Sequence, residues 1–75
     1  MNSEINLGKR LYELRISRSL NQKQLGEIVG LSHKAISTIE SGSRYTTIEK
    51  LVQLADYFGV STDYLLGLSD DPKRH

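Results

Sequence analysis

The chain has no cysteine among its 75 residues, so no disulfide bond contributes to its stability. Its two histidines, His33 and His75, are far apart in the sequence, which argues against a structural zinc site. A domain of this size buries only about 60% of the surface that its unfolded chain exposes, so its core is thin. The sequence therefore predicts one small domain, stabilised by well-packed helices or by association into an oligomer.

Apolar residues recur at helical intervals along the whole chain, which predicts an all-α fold without strands. Leu7, Leu11 and Leu14 predict a first helix that begins after Ser3 or Asn6. Four more helices are predicted at about 22–29, 33–41, 47–58 and 62–66, because each range follows a residue type that favours the N-cap. These caps are Asn21, Ser32, Thr46 and Ser61.

The fourth predicted helix begins with a second capping signal. Thr46 and Glu49 have the spacing of a capping box, in which each side chain accepts a hydrogen bond from the other residue's backbone N–H. The buried side of this helix is expected to consist of Ile48, Leu51, Val52, Ala55 and Phe58. The domain is expected to span residues 1–67, and residues 68–75 are expected to form a flexible tail.

The net charge of +1 conceals two unlike halves of the chain. Residues 1–50 have a balance of +3, whereas residues 51–75 have a balance of −2. A basic first half suits a polyanionic partner. No apolar run is long enough for a signal peptide or a membrane span, so we expect a cytoplasmic protein with no membrane partner.

Residues 22–41 contain two short helices separated by about three residues, which must cross steeply, as in a helix-turn-helix unit. Such a crossing needs a small side chain where the helices approach, and Gly26 provides it. The turn also needs a residue that tolerates a positive φ, and Gly30 provides that. The apolar residues that would pack this pair onto the domain are Leu25, Val29, Leu31, Ile36 and Ile39.

Four motifs lie along these helices. They are Leu20-Asn21-Gln22-x-x-Leu25, Val29-Gly30-Leu31-Ser32, Ile36-Ser37-x-Ile39-Glu40-x-Gly42 and Leu54-Ala55-x-x-Phe58-Gly59-Val60-Ser61-x-Asp63-x-Leu65-Leu66. Together they resemble the phage repressor/Cro-type (XRE-like) helix-turn-helix family over nearly the whole chain. The resemblance implies a compact five-helix, lambda-repressor-like domain that binds double-stranded DNA. Members of this family regulate transcription, usually as a homodimer on a palindromic operator, and we expect a repressor.

The second helix of the unit is expected to enter the major groove with its N-terminal residues nearest the bases. Lys34 can donate to guanine O6 and N7, and His33 can donate or accept according to its tautomer. The resemblance adds Gln22, which matches a family glutamine that touches the DNA backbone and supports the recognition helix. The predicted base contacts are Gln22, His33, Lys34, Ser37 and Thr38. The predicted phosphate contacts are Arg18, Lys23, Ser32, Ser41, Ser43, Arg44, Tyr45 and Thr46.

The resemblance also implies an internal ion pair between Arg15 and Glu40, with an architectural role. A single recognition helix reads few bases, so we expect a symmetric dimer that binds half-sites about 34 Å apart. The dimer surface is expected on the apolar C-terminal part of the chain. Its predicted residues are Val60, Tyr64, Leu65 and Leu68.

Catalysis has little support in the sequence. No cysteine nucleophile, serine triad, phosphate-binding glycine loop or metal-ligand spacing is present, so we expect no enzyme activity, no metal, no cofactor and no small-molecule ligand. A protein-interaction module on the same helical fold, such as a toxin-binding antitoxin, is the alternative. A phage or mobile-element repressor, a restriction–modification controller and an antitoxin share these sequence features, which do not separate them.

Overall fold

The structure, a computed structural model, describes residues 5–73, and this part of the chain contains five helices and no strand. The helices are α1 (Leu7–Ser17), α2 (Gln22–Val29), α3 (His33–Glu40), α4 (Ile48–Phe58) and α5 (Thr62–Leu65). The predicted five-helix all-α fold is thus confirmed. Ser3, one of two caps predicted for the first helix, lies outside the described residues, as do residues 74 and 75 of the predicted tail.

The capping of α4 differs from the prediction. Thr47 is the N-cap, and its hydroxyl accepts a hydrogen bond from the Lys50 N–H at 3.2 Å. The predicted capping box of Thr46 and Glu49 is therefore wrong, because the N-cap is one residue later, at Thr47. A capping box is present instead at the start of α2, where Asn21 and Gln24 exchange side-chain-to-backbone hydrogen bonds of 2.7 and 2.8 Å.

The core collects apolar side chains from every helix, and α2 and α3 pack closely against each other. Its members are Leu7, Leu11, Leu25, Val29, Ile36, Ile39, Leu54, Ala55, Phe58, Val60 and Leu65. Of the residues predicted on the buried side of α4, Leu51 is only partly buried against this core, whereas Ile48 is 81% exposed and Val52 42% exposed. The buried face of α4 is centred on Leu54, Ala55 and Phe58, and Val52 lies to one side of it. Ile48 lies on nearly the same face as Ala55 but two turns earlier, as the first residue of the helix.

Two of the four residues predicted for a dimer surface are part of this core. Val60 is 6% exposed and Leu65 is fully buried, so neither side chain can supply a contact surface without unfolding the domain. Their inclusion in the dimer surface is therefore wrong. Tyr64 is half-buried and Leu68 is 50% exposed, so these two remain available.

Polar contacts attach residues 68–73 to the helices. The Ser61 N–H donates to the Pro72 carbonyl at 3.1 Å. The Arg10 guanidinium contacts the Asp70 carboxylate and the Ser69 carbonyl, each at 3.4 Å. Part of the tail predicted to be flexible is thus held by polar contacts to α1 and to the N-cap of α5. Among the described helices, none is both long and apolar enough to cross a membrane.

Candidate nucleic-acid interface

The turn between α2 and α3 depends on two glycines. The backbone of α2 approaches the turn so closely that a Cβ on Gly26 would overlap the carbonyl oxygen of Leu31. The Leu31 N–H donates to the Gly26 carbonyl at 2.8 Å, which closes the turn. Gly30 has φ +74°, in the left-handed region that favours glycine. The predicted roles of both glycines are confirmed, and they fix the angle at which α3 leaves α2.

The outward side of α3 carries polar residues, while Ile36 and Ile39 on its other side are buried. His33 and Lys34 are exposed in the first turn of the helix. Thr38 is half-buried, and its hydroxyl donates to the Ala35 carbonyl at 3.0 Å. The oxygen of the Thr38 hydroxyl can therefore still accept a hydrogen bond from a ligand. The methyl group of the same side chain remains for an apolar contact.

The N-termini of α2 and α3 offer backbone N–H groups beside these side chains. The Ser32 hydroxyl accepts from the Ala35 N–H at 3.0 Å, and Asn21 caps α2 in the same way. Each cap satisfies the third N–H of its helix, which leaves the first two to solvent or an anion. Both helix starts border one surface depression, lined by Arg15, Asn21, Gln22, Lys23 and His33.

A second depression lies on the other side of the α3 N-terminus. Lys34 and Thr38 of α3, Ser32 at its cap and Arg44 from the following loop line it. The structure thus places the predicted phosphate contact Arg44 beside the predicted base contact Lys34. The exposed cations Lys23, Lys34 and Arg44 flank the start of α3 on both sides, which favours a negatively charged ligand there.

The predicted ion pair between Arg15 and Glu40 is present. Arg15 Nε and Nη2 donate to the two carboxylate oxygens at 2.6 and 3.0 Å, and the two side chains are only 9% and 6% exposed. Arg15 Nη1 also donates to the Leu20 carbonyl at 2.7 Å. The hydrogen bonds to Glu40 raise the pKa of Arg15, and burial opposes this rise. The pair joins α1 to the end of α3.

Gln22 belongs to the same group of side chains. Gln22 Nε2 donates to Glu40 Oε1 at 3.0 Å, so the start of α2 is tied to the same carboxylate. The resemblance implies that Gln22 supports the recognition helix, and this contact with the last residue of α3 agrees with that expectation. The sequence spacing does not show that Glu40 is the partner. Asn21 was identified only as a cap, although it also borders the depression beside Lys23 and His33.

Several predicted phosphate contacts occupy other positions. Arg18 Nη2 donates to the Phe58 carbonyl at 3.3 Å, and its guanidinium lies over the Tyr57 and Phe58 rings. Arg18 is therefore engaged at the C-terminal end of α4, where its charge complements the helix dipole. We remove it from the set of predicted phosphate contacts.

The hydroxyls of Ser41 and Ser43 are engaged at the end of α3. Ser41 Oγ donates to the Thr38 carbonyl at 3.0 Å and lies 2.9 Å from Ser43 Oγ. Because the Ser41 proton is used on the carbonyl, Ser43 is the donor in the second contact, and neither hydroxyl has a free proton for a phosphate. Tyr45 is 65% exposed and borders a third depression, which Lys9 also lines.

The comparisons with known proteins agree on one family. The family described as "Helix-turn-helix domain" matches residues 8–70. YobD of Bacillus subtilis (strain 168), an uncharacterised HTH-type transcriptional regulator, is 41% identical over 64 residues, covering 85% of this chain and 57% of YobD. The chain spans about half the length of such curated relatives.

Solved structures give the same result. The P22 c2 repressor, crystallised with synthetic operator 9T, is 35% identical with a TM-score of 0.76, over 80% of this chain and 91% of that one. The restriction–modification controller protein C.AhdI of Aeromonas hydrophila is 28% identical with a TM-score of 0.72, over 81% and 92%. The chain belongs to the helix-turn-helix domain family, in its XRE-type branch that includes phage repressors.

Proposed function

We propose that this chain is a sequence-specific DNA-binding regulator of transcription, in which α3 enters the major groove. The observation that carries the proposal is the outward face of α3, where the exposed His33 and Lys34 follow directly on an N-capped helix start. A side chain there reaches base edges when the helix lies in the groove. The P22 c2 repressor, which has the same fold, was crystallised with a synthetic operator.

Base and phosphate contacts divide between two sets of residues. Lys34 donates to guanine O6 and N7, while Gln22, His33, Ser37 and Thr38 contact neighbouring base edges. Lys23 and Arg44 bind phosphates on opposite sides of the α3 N-terminus, which their positions in the two depressions support. The backbone N–H groups at the starts of α2 and α3 add phosphate contacts. Ser32, Tyr45 and Thr46 complete the phosphate set.

We propose that the regulator is a repressor that binds a palindromic operator as a homodimer. It acts by binding rather than by catalysis, in the cytoplasm. One recognition helix reads only a few base pairs, too few to specify a unique site, so a second copy of the chain is needed to read a second half-site. The exposed Leu68 and the half-buried Tyr64 supply the dimer surface, at the end of the chain that carries net negative charge.

Selection from a randomised duplex library tests this function. The purified chain is incubated with the library at low and at physiological ionic strength, and bound duplexes are sequenced. We expect a palindromic consensus, and an affinity that falls steeply as salt is raised because binding releases counterions from DNA. Binding without any selected sequence contradicts the proposal.

The exposed Ile48 and Val52 on α4 favour one alternative, a module that binds a protein partner through an apolar surface. The same salt series separates the two functions. Apolar association changes little between low and physiological ionic strength, whereas DNA binding weakens by orders of magnitude.

A further inference from the structure

His33 is the first residue of α3, and its imidazole is exposed beside the N-terminus of α2. The other residues that line this depression are Arg15, Asn21, Gln22 and Lys23. None of their side chains is a carboxylate, and the first turns of α2 and α3 contain no acidic residue. The imidazole therefore lies among amides, cations and the positive ends of two helix dipoles.

The two helices that pack against α3 each contribute a cation to this depression. The guanidinium of Arg15 on α1 is held by the Glu40 carboxylate at 2.6 and 3.0 Å, so these two charges compensate each other. Lys23 on α2 and Lys34 on α3 are exposed in the first turns of their helices. A charged imidazole at position 33 thus finds no anionic partner among the residues of its own depression.

DNA changes the electrostatics of this depression when it docks against α3. The phosphate backbone brings negative charge and oxygen acceptors, and guanine presents O6 and N7 in the major groove. A neutral imidazole has one donor and one acceptor nitrogen, whereas a charged imidazole donates from both nitrogens. Because these DNA atoms are all acceptors in a negative field, they favour the charged imidazole in the complex.

The sequence limits which side chains can titrate near neutral pH. It contains two histidines, His33 and His75, and no cysteine. Histidine is the side chain that ordinarily changes its charge between about pH 6 and pH 8. A change of DNA affinity over this range is therefore assigned to one of two residues, and His33 is the one on α3.

We infer that His33 couples operator binding to pH: its imidazole takes up a proton when DNA docks against α3, and its partner is an acceptor atom of DNA. The inference rests on the proposed function and adds a regulatory property to the same face of α3. Since the complex binds more protons than the free chain, the affinity rises as the pH falls. The acceptor is a phosphate oxygen or the O6 and N7 edge of a guanine.

The pH dependence of the affinity tests this inference. The wild-type chain first selects its operator from a randomised duplex library. Fluorescence anisotropy then gives the affinity at constant ionic strength between about pH 6 and pH 8. His33→Gln removes the titrating group, and His33→Arg makes the charge permanent. His75→Gln, at the second histidine of the sequence, is the matched control.

We expect the wild-type affinity to rise about fivefold per half-site across this range as the pH falls, and His75→Gln to behave like the wild type. His33→Gln and His33→Arg should each change by less than about 1.5-fold. Calorimetry in buffers of different ionisation enthalpy should show the wild type taking up about half a proton per half-site near neutral pH. A wild-type affinity independent of pH, or the same dependence in His33→Gln, would overturn the inference.

Single-base variants of the operator identify the acceptor atom. If the pH dependence disappears when one guanine pair is substituted, the charged imidazole donates to that base edge. If the dependence persists on every operator variant, the acceptor is a phosphate oxygen. Either result supports proton uptake by His33.

Folding and binding are checked separately. Far-UV circular dichroism and thermal unfolding at both ends of the pH range establish that each variant is folded. If neither His33 variant binds DNA, proton NMR of the wild type decides: at one pH, the His33 imidazole must be more protonated in the complex than in the free chain. A wild-type chain that selects no sequence overturns the proposed function itself. A selected operator that is bound equally at every pH overturns the inference alone.

Discussion

Lys50 Nζ donates a hydrogen bond of 2.8 Å to the backbone carbonyl of Val29, the last residue of α2. The last turn of α2 contains no basic residue of its own. Lys50 therefore brings a positive charge from α4 to the negative end of the α2 dipole, and satisfies a carbonyl that has no partner within the helix. The contact also fixes α2, and with it the turn into α3, against α4.

Replacing Lys50 by methionine should lower the free energy of unfolding by about 1 kcal/mol, because the charge-assisted hydrogen bond is lost while most of the apolar stem is kept. Urea unfolding followed by circular dichroism measures this change. Lys9→Met is the matched control, since Lys9 is exposed on α1, and it should change the stability by less than about 0.5 kcal/mol. Equal effects of the two substitutions would show that Lys50 acts only through net charge.

The positive φ of Gly30 leads to a second prediction. Gly30→Ala should destabilise the domain by about 1 kcal/mol, because an alanine in the left-handed region brings its Cβ close to the following carbonyl. Gly30→Asn should cost less, since asparagine tolerates this conformation. Thermal unfolding of the two variants gives the comparison, and an alanine variant as stable as wild type would mean that the turn adopts another backbone conformation.

Local sequence signals predicted the helices well but not which apolar residues of α4 are buried. Asn21 and Gly30 bracket α2 at its observed bounds because a cap and a left-handed residue act on their immediate neighbours. The exposure of Ile48 depends instead on where α4 lies against the other helices. Apolar spacing defines a helix face about a third of a turn wide, and tertiary packing decides which edge of that face is covered.

In the candidate site, too, the sequence predicts features within one helix but not contacts between helices. The Ser32 cap and the exposed His33 and Lys34 follow from the sequence of one helix. The hydrogen bond from Gln22 to Glu40 joins residues 18 positions apart, and the engagement of Arg18 by Phe58 joins residues 40 apart. Such contacts depend on how the helices meet, which no spacing within one helix specifies.

Because the ion pair is buried, we expect a single substitution in it to lower the stability far more than the substitution of both residues. Arg15→Met should destabilise the domain by about 3–5 kcal/mol, because it leaves the carboxylate of Glu40 without its counter-charge in a site that is 6% exposed. Arg15→Met/Glu40→Met should recover most of this loss, since it buries no charge. Urea unfolding of both variants measures the difference. A double variant as unstable as the single one would show that Arg15 acts through packing.

The raised pKa of Arg15 fixes the pH dependence of this pair. A basic group whose pKa is higher in the folded chain stabilises it fully below its unfolded pKa, and loses this contribution only as the pH rises through its folded pKa. For an arginine both values are strongly alkaline. Arg15 therefore stays charged at neutral and at mildly alkaline pH. The loss of stability in Arg15→Met relative to wild type should be the same at both pH values, which unfolding curves at the two pH values can check.

Lys34 and Arg44 line one depression but should affect DNA binding differently. Lys34→Ala should cost about 1–3 kcal/mol and relax the base preference at one position, as expected for a contact to a base edge. Arg44→Ala should weaken binding to all sequences alike and reduce the slope of log K against log salt by about one, as expected for a phosphate contact. Gel shifts on a panel of single-base operator variants, repeated at several salt concentrations, distinguish these outcomes. Equal losses on every sequence for both variants would contradict the assignment of Lys34 to a base.

The exposed apolar residues provide a test of the proposed dimer surface. Leu68 is 50% exposed, and Tyr64 beside it is covered in part by the Arg10 guanidinium, 4.0 Å from its ring centroid. Leu68→Glu should weaken dimerisation about tenfold or more, because association would bury a carboxylate without a partner. Ile48→Glu, at a residue that is 81% exposed on α4, is the matched control and should leave the dimer intact. Sedimentation equilibrium measures both dissociation constants. If Ile48→Glu dissociates the dimer and Leu68→Glu does not, the subunits meet through α4.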